Sequence, residues 1–141
     1  MKGLVHIYEG TGKGKSTAGV GLTIRCAGNG FPVVYSQFLK DGTTGEMNIL
    51  RKIPNITVLV EEHHFGFSFL MTPEEKVEAK AAYTALFEKV KAAAVEQNAR
   101  LLVMDEMLDL CNAELIDTAM VVDFLKNRPE QLEVVMTGRN P

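Results

Sequence analysis

A chain of 141 residues, 46% of them hydrophobic, has apolar material for one packed core and too little length for a second. Its formal net charge of −3, from 15 Lys and Arg against 18 Asp and Glu, provides no basic face for a nucleic-acid backbone, so no nucleic-acid partner is expected. Cys26 and Cys111 are too few and too far apart for a disulfide framework or a Cys-x-x-Cys metal site and read as buried free thiols, and no apolar run reaches membrane-spanning length. The N-terminus also lacks the residue order of a signal peptide, which makes the cytoplasm the expected compartment, with no membrane association.

In chain order, the apolar run Leu4-Val5-His6-Ile7-Tyr8 reads as a first strand, with His6 as a packed core histidine. Glu9-Gly10-Thr11-Gly12-Lys13-Gly14-Lys15-Ser16-Thr17 follows directly. A strand, a loop with three glycines and Lys-Ser opening a helix form a polyphosphate grip: glycines let backbone N–H groups converge on the anion, and the helix N-terminus adds positive potential. Aligned on Gly14-Lys15-Ser16, the general pattern G-x-x-x-x-G-K-[ST] finds Glu9 at its first position, and counted from Gly10 the loop is one residue short. That departure predicts a specialised triphosphate grip rather than a standard kinase loop. Gly10, Thr11, Gly12, Lys13, Gly14, Lys15, Ser16 and Thr17 are the candidate nucleotide-binding residues.

Ser16 to Ala27 is expected to be a helix stopped by Gly28-Asn29-Gly30, followed by a strand over Val33 to Phe38, a short helix over Glu46 to Lys52 and a strand over Ile56 to Val60. Phe65, Phe67 and Phe69 alternate as residues on one face of a strand do, while the adjacent His63 and His64 suit a structural or solvent-facing role. Thr72-Pro73-Glu74-Glu75 combines a Thr cap, Pro at the first helical position and Glu completing a capping box, so the longest helix begins there and runs to about Gln97. Its apolar face of Tyr83, Leu86, Phe87, Val90 and Ala94 is core.

Leu101-Leu102-Val103-Met104 has the continuous apolar character of a strand buried on both faces, with Asp105-Glu106 at its end. A helix over Asp117 to Asn127 and a strand over Val134 to Met136 complete the alternation, before Thr137-Gly138-Arg139. Repeated β-α units imply a three-layer α/β fold, mainly parallel, with helices on both faces and the ligand at the C-terminal strand ends. The glycine loop, Gln37-Phe38-Leu39-Lys40, Asp105-Glu106 and Thr137-Gly138-Arg139 would share that rim. Mg²⁺, for which Mn²⁺ could substitute, prefers hard oxygen ligands shared among a loop hydroxyl, phosphates, waters and a strand-tip carboxylate; Ser16 with Glu106 or Asp105 supplies those parts. The other acid would cap the helix that follows or be solvated.

Gly10 to Thr17, Arg25, Gln37-Phe38-Leu39-Lys40, Gly45-Glu46-x-Asn48-x-Leu50, Gly66-Phe67-Ser68-Phe69, Leu102 to Glu106, Asn127-Arg128-Pro129 and Thr137-Gly138-Arg139 occur in an order that resembles the ATP:corrinoid adenosyltransferases of the CobA/BtuR (CobO) type. The resemblance spans the whole chain and implies a single P-loop, RecA-like domain over residues 1–141, without the C-terminal segment with which relatives continue. It implies attack of a Co(I) corrinoid, a cobalamin or cobinamide, on the 5′ carbon of ATP, with inorganic triphosphate leaving. The loop, Lys15, Lys13 and Mg²⁺ would then stabilise the leaving group. It further implies that Phe67 and Phe69 fill the corrinoid's lower face and keep Co(II) four-coordinate for reduction by a flavodoxin-like flavoprotein, that Arg25, which matches a family arginine, joins the nucleotide-binding residues through a contact beyond the phosphates or else forms a salt bridge, and that the protein is a homodimer. The residue at position 69 is often Trp in relatives. On the residues alone, two other classes stay open: a phosphotransferase or ATPase releasing ADP, and a nucleotide or corrinoid carrier without turnover.

Overall fold

The computed structural model of the chain describes residues 3–9, 14–39, 45–61 and 70–139, and of Lys15 the backbone only. Among the described residues, five strands, β1 (Val5–Glu9), β2 (Val33–Gln37), β3 (Ile56–Val60), β4 (Leu101–Asp105) and β5 (Glu133–Gly138), form one sheet in the order β1-β5-β4-β2-β3, with every pairing parallel. The last strand in sequence thus stands between the strand that leads into the glycine loop and the strand that ends in Asp105. This is the expected three-layer, P-loop NTPase-like α/β architecture.

Strand composition follows position. β2 and β4 are buried along their whole length and carry the unbroken runs Val33-Val34-Tyr35 and Leu101-Leu102-Val103-Met104, as strands covered on both faces must. The edge strands β1 and β3 are only partly buried. Side chains alternate between two apolar layers: Val34, Leu102, Met104, Val134 and Met136 face one, Val33, Tyr35, Leu101, Val103 and Val135 the other.

The first layer is closed by α3 (Pro73–Glu96), α4 (Met107–Asn112) and α5 (Thr118–Asn127). In α3 the expected capping box is formed: Thr72 Oγ1 accepts the Glu75 N–H at 3.2 Å, and Glu75 Oε1 accepts the Thr72 N–H at 3.4 Å. Tyr83, Leu86, Phe87, Val90 and Ala94 are all buried, with Phe87 edge-on to Phe124 at 5.9 Å. The second layer is closed by α1 (Lys15–Gly28) and α2 (Gly45–Leu50). α1 stops where Gly28-Asn29-Gly30 predicts, the Gly30 N–H donating to the Ala27 carbonyl at 2.9 Å. α2 ends two residues short of the expected Lys52, in a turn over Arg51 and Lys52.

Two expectations are corrected. Cys26 and Cys111 are free, as expected, but half-buried rather than buried, because each lies at the margin of its core. His6 is half-exposed on the edge strand β1 and pairs with Glu133 at 3.4 Å, so it is no core histidine.

At the N-terminal ends of the strands the fold is tied by Arg128, which follows α5. Its guanidinium donates to the carbonyls of Leu125 at 2.5 Å, Leu132 at 3.3 Å and Gly3 at 2.6 Å, joining α5, the entry to β5 and the entry to β1.

Candidate nucleotide site at the carboxyl rim

Strand alternation decides which polar side chains reach α1. Asp105 shares a face with Leu101 and Val103, Thr137 with Val135, and Gln37 with Tyr35; all of these point to the α1 side. Parallel register brings Gln37 opposite Asp105, and Thr137 opposite Tyr8. Because α1 starts directly after the glycine loop, its first turn meets this polar row at the C-terminal rim.

The contact is direct. Ser16 Oγ donates toward both carboxylate oxygens of Asp105, at 3.0 Å from Oδ1 and 3.2 Å from Oδ2. Thr137 Oγ1 donates to Asp105 Oδ1 at 2.5 Å and accepts the backbone N–H of Glu106 at 2.8 Å. Asp105 and Thr137 are fully buried, whereas Glu106 is half-buried. The chain Glu106 N–H to Thr137 to Asp105, met by Ser16 from the other side, links α1, β4, β5 and the start of α4.

Gly14 opens α1 with φ of 105°, a left-handed conformation that glycine adopts without the Cβ penalty. Its carbonyl accepts the Ala18 N–H at 2.8 Å, so the helix is regular from there. No acidic residue lies in the first turn, and the N-terminal N–H groups of α1 retain their preference for an anion. Glu106, at the N-cap of α4, is a non-glycine residue with φ of 64° and makes no side-chain cap. The capping role open to one acid of the pair is therefore not taken by Glu106. Such a conformation costs about 1–2 kcal/mol and marks a place where the surroundings impose the backbone.

Thr137-Gly138-Arg139 acquires a residue-by-residue explanation. Thr137 bridges Asp105 and Glu106; a Cβ on Gly138 would collide with the Leu108 Cβ of α4 and stand 3.1 Å from the Asp109 nitrogen; and the Arg139 N–H donates to Asp109 Oδ1 at 3.0 Å. Sequence reasoning placed Thr137 on the rim but gave it no role; its signal was a hydroxyl at the end of an otherwise apolar strand. Tyr35, fully buried on the same face, has its pKa raised by burial, with the Asp105 charge adding to the shift and Gln37 opposing it.

Ser16, Gly14 and the Asp105-Glu106 pair are thus gathered at one rim, with Thr17 exposed in the first turn of α1. Arg25 is not among them. It is exposed in the last turn of α1, about 13 Å along the helix from Ser16, where it lines a cleft of about 210 Å³ with Leu22, Cys26, Phe31, Arg100 and Glu133 at the N-terminal ends of β4 and β5. There the Arg100 guanidinium stacks on Phe31 at 4.4 Å, and desolvation raises the Cys26 thiol pKa. Gly10, Thr11, Gly12, Lys13, His63, His64, Phe65, Phe67, Phe69 and the Lys15 side chain lie outside the described residues.

Comparison with known proteins matches all of residues 1–141 to the family model of ATP:corrinoid adenosyltransferase BtuR/CobO/CobP. The chain belongs to this family. A corrinoid adenosyltransferase of Sinorhizobium sp. is 33% identical over 141 residues, which are 99% of this chain and 65% of the relative. The corrinoid adenosyltransferase of Escherichia coli K12 and the corrinoid adenosyltransferase CobA of Salmonella typhimurium are each 29% identical over 140 residues, 98% of this chain and 68% of theirs. The chain therefore spans about two thirds of the length of these family members. Among the described residues no helix is long and apolar enough to cross a membrane.

Proposed function

We propose that the protein transfers the 5′-deoxyadenosyl group of ATP to the cobalt of a reduced Co(I) corrinoid, a cobalamin or cobinamide, and releases inorganic triphosphate. Family membership supports the reaction class, and the hydrogen bond of Ser16 to the buried Asp105, directly behind Gly14-Lys15, is the observation that carries the nucleotide site. Co(I) supplies the electron pair for the new cobalt–carbon bond, and the breaking C5′–O bond leaves its pair on the triphosphate. No protein nucleophile or base is needed. The protein's work is to hold C5′ in line and to stabilise the departing polyanion.

That work falls to the N–H groups of Gly10, Thr11, Gly12 and Gly14, to Lys13 and Lys15, and to the first turn of α1 with Ser16 and Thr17. Ser16 Oγ and the carboxylates of Asp105 and Glu106 are hard oxygen donors at the rim, a set that fits Mg²⁺ shared with phosphates. Mg²⁺ held there by Ser16 and Glu106, with Asp105 orienting the Ser16 hydroxyl, would supply positive charge to the triphosphate. Phe67 and Phe69 would cover the lower face of the corrinoid and exclude an axial ligand, so that a flavodoxin-like flavoprotein can reduce Co(II). We place Arg25 outside the phosphate grip of its own chain. The protein would act in the cytoplasm as a homodimer.

The test is product analysis. ATP incubated with chemically reduced corrinoid should yield inorganic triphosphate and a light-sensitive adenosylcorrinoid. ADP and phosphate formed without corrinoid would replace this reading with a phosphotransferase or ATPase, and binding without turnover would leave a carrier. Comparing Glu106→Gln with Asp105→Asn assigns the metal carboxylate: both should need more Mg²⁺, and the variant with the larger rise has lost the direct ligand.

A further inference from the structure

We infer that Thr137 is a positioning residue of the nucleotide site, which sets the Ser16 hydroxyl and the Glu106 carboxylate in register for the metal that accompanies the triphosphate. The inference rests on the nucleotide reading proposed above and extends it to a residue on a third strand. Its basis is the distribution of donors and acceptors at a fully buried hydroxyl. Thr137 Oγ1 accepts the Glu106 N–H at 2.8 Å and spends its one proton on Asp105 Oδ1 at 2.5 Å. Both its donor and one acceptor site are fixed by residues adjacent in sequence, one a side chain and the other a backbone amide.

Two consequences follow from that geometry. Asp105 is steered by Thr137 from β5 and by Ser16 from α1, so the direction in which Ser16 presents its oxygen depends on both. Glu106 stands at φ of 64°, a conformation its side chain disfavours, and the bond from its N–H to Thr137 helps hold that peptide in place. A purely structural threonine would cap one group. Thr137 joins two groups of the candidate metal site and is itself held in place by β5, whose Gly138 packs against Leu108 without room for a Cβ.

The experiment measures ATP binding by calorimetry across a series of Mg²⁺ concentrations, without corrinoid, for the parent, Thr137→Val and Thr137→Ser. Valine keeps the branched shape and deletes the hydroxyl; serine keeps the hydroxyl. Loss of a group that orients metal ligands typically weakens metal binding about tenfold to a hundredfold, so the Mg²⁺ midpoint of Thr137→Val should rise by that factor. ATP binding in EDTA should stay at the parent's value, and Thr137→Ser should titrate like the parent. An unshifted midpoint in folded Thr137→Val overturns the inference. If Thr137→Val does not fold, Thr137→Ala against Thr137→Ser decides it: equal midpoints overturn it, and a raised midpoint in Thr137→Ala alone sustains it. A parent that binds ATP identically with and without Mg²⁺ refutes the metal reading of the rim, and this inference with it.

Discussion

At the carboxyl end of the sheet, donors from separate elements converge on one acceptor: Ser16 of α1 and Thr137 of β5 both reach the buried Asp105 of β4. At the amino end the arrangement is inverted, and one donor, the Arg128 guanidinium, fans out to three backbone carbonyls. Backbone carbonyls are present whatever the side chains are, so the Arg128 tie needs a single well-chosen residue and serves the fold. The convergence at Asp105 needs several side chains at once, and its oxygens face the turn that follows the glycine loop. Asn127-Arg128-Pro129 and Thr137-Gly138-Arg139 both look distinctive in the sequence. Only one of them borders the candidate nucleotide site.

If the two ends are as different as their chemistry, removing Arg128 should harm stability alone. Arg128→Met deletes three charge-assisted hydrogen bonds and should cost about 5 kcal/mol in all, lowering the melting temperature by about 15 °C. ATP affinity per folded molecule should not move. A loss of affinity well below the melting point would show that the two ends are coupled and break the comparison.

Alkaline titration probes the rim side next. Tyr83, buried against Phe38 just past the end of β2, has its pKa pushed up to about 12, chiefly by burial and then by the charge of Glu61. The unfolded phenol ionises near pH 10 and the folded one does not, so the unfolded state holds fewer protons between about pH 10 and 12 and stability falls there by up to about 1.4 kcal/mol per pH unit. Denaturant midpoints across that range should drop in the parent and drop less in Tyr83→Phe.

Asp105→Asn should give the mirror image of Arg128→Met. It keeps the shape but removes the charge that Ser16 and Thr137 address, so Mg²⁺-dependent ATP binding should weaken about tenfold or more while the melting temperature stays within a few degrees of the parent. A large fall in melting temperature with intact binding would make Asp105 a fold residue like Arg128. The smallest effect is expected far from both ends: Thr72→Ala removes the α3 cap and should cost about 1 kcal/mol, leaving ATP and Mg²⁺ titrations unchanged.

The sequence by itself determined most of the elements, because their signals are local. The capping box at Thr72, the stop at Gly28-Asn29-Gly30 and the unbroken apolar run ending at Met104 each act within a few residues of chain, and the structure forms the corresponding ends of α3, α1 and β4. The resemblance to the family, too, was legible as ordered motifs. Strand order and the partner of each polar tip were decided only by tertiary structure. Asp105 and Glu106 are adjacent and chemically alike, so nothing local says which one meets Ser16, 89 residues away. The pleat of β4 settles it, by turning Asp105 to the α1 side. The insertion of β5 between β1 and β4 then brings Thr137 to the same carboxylate, a contact set by sheet order rather than by any spacing along the chain.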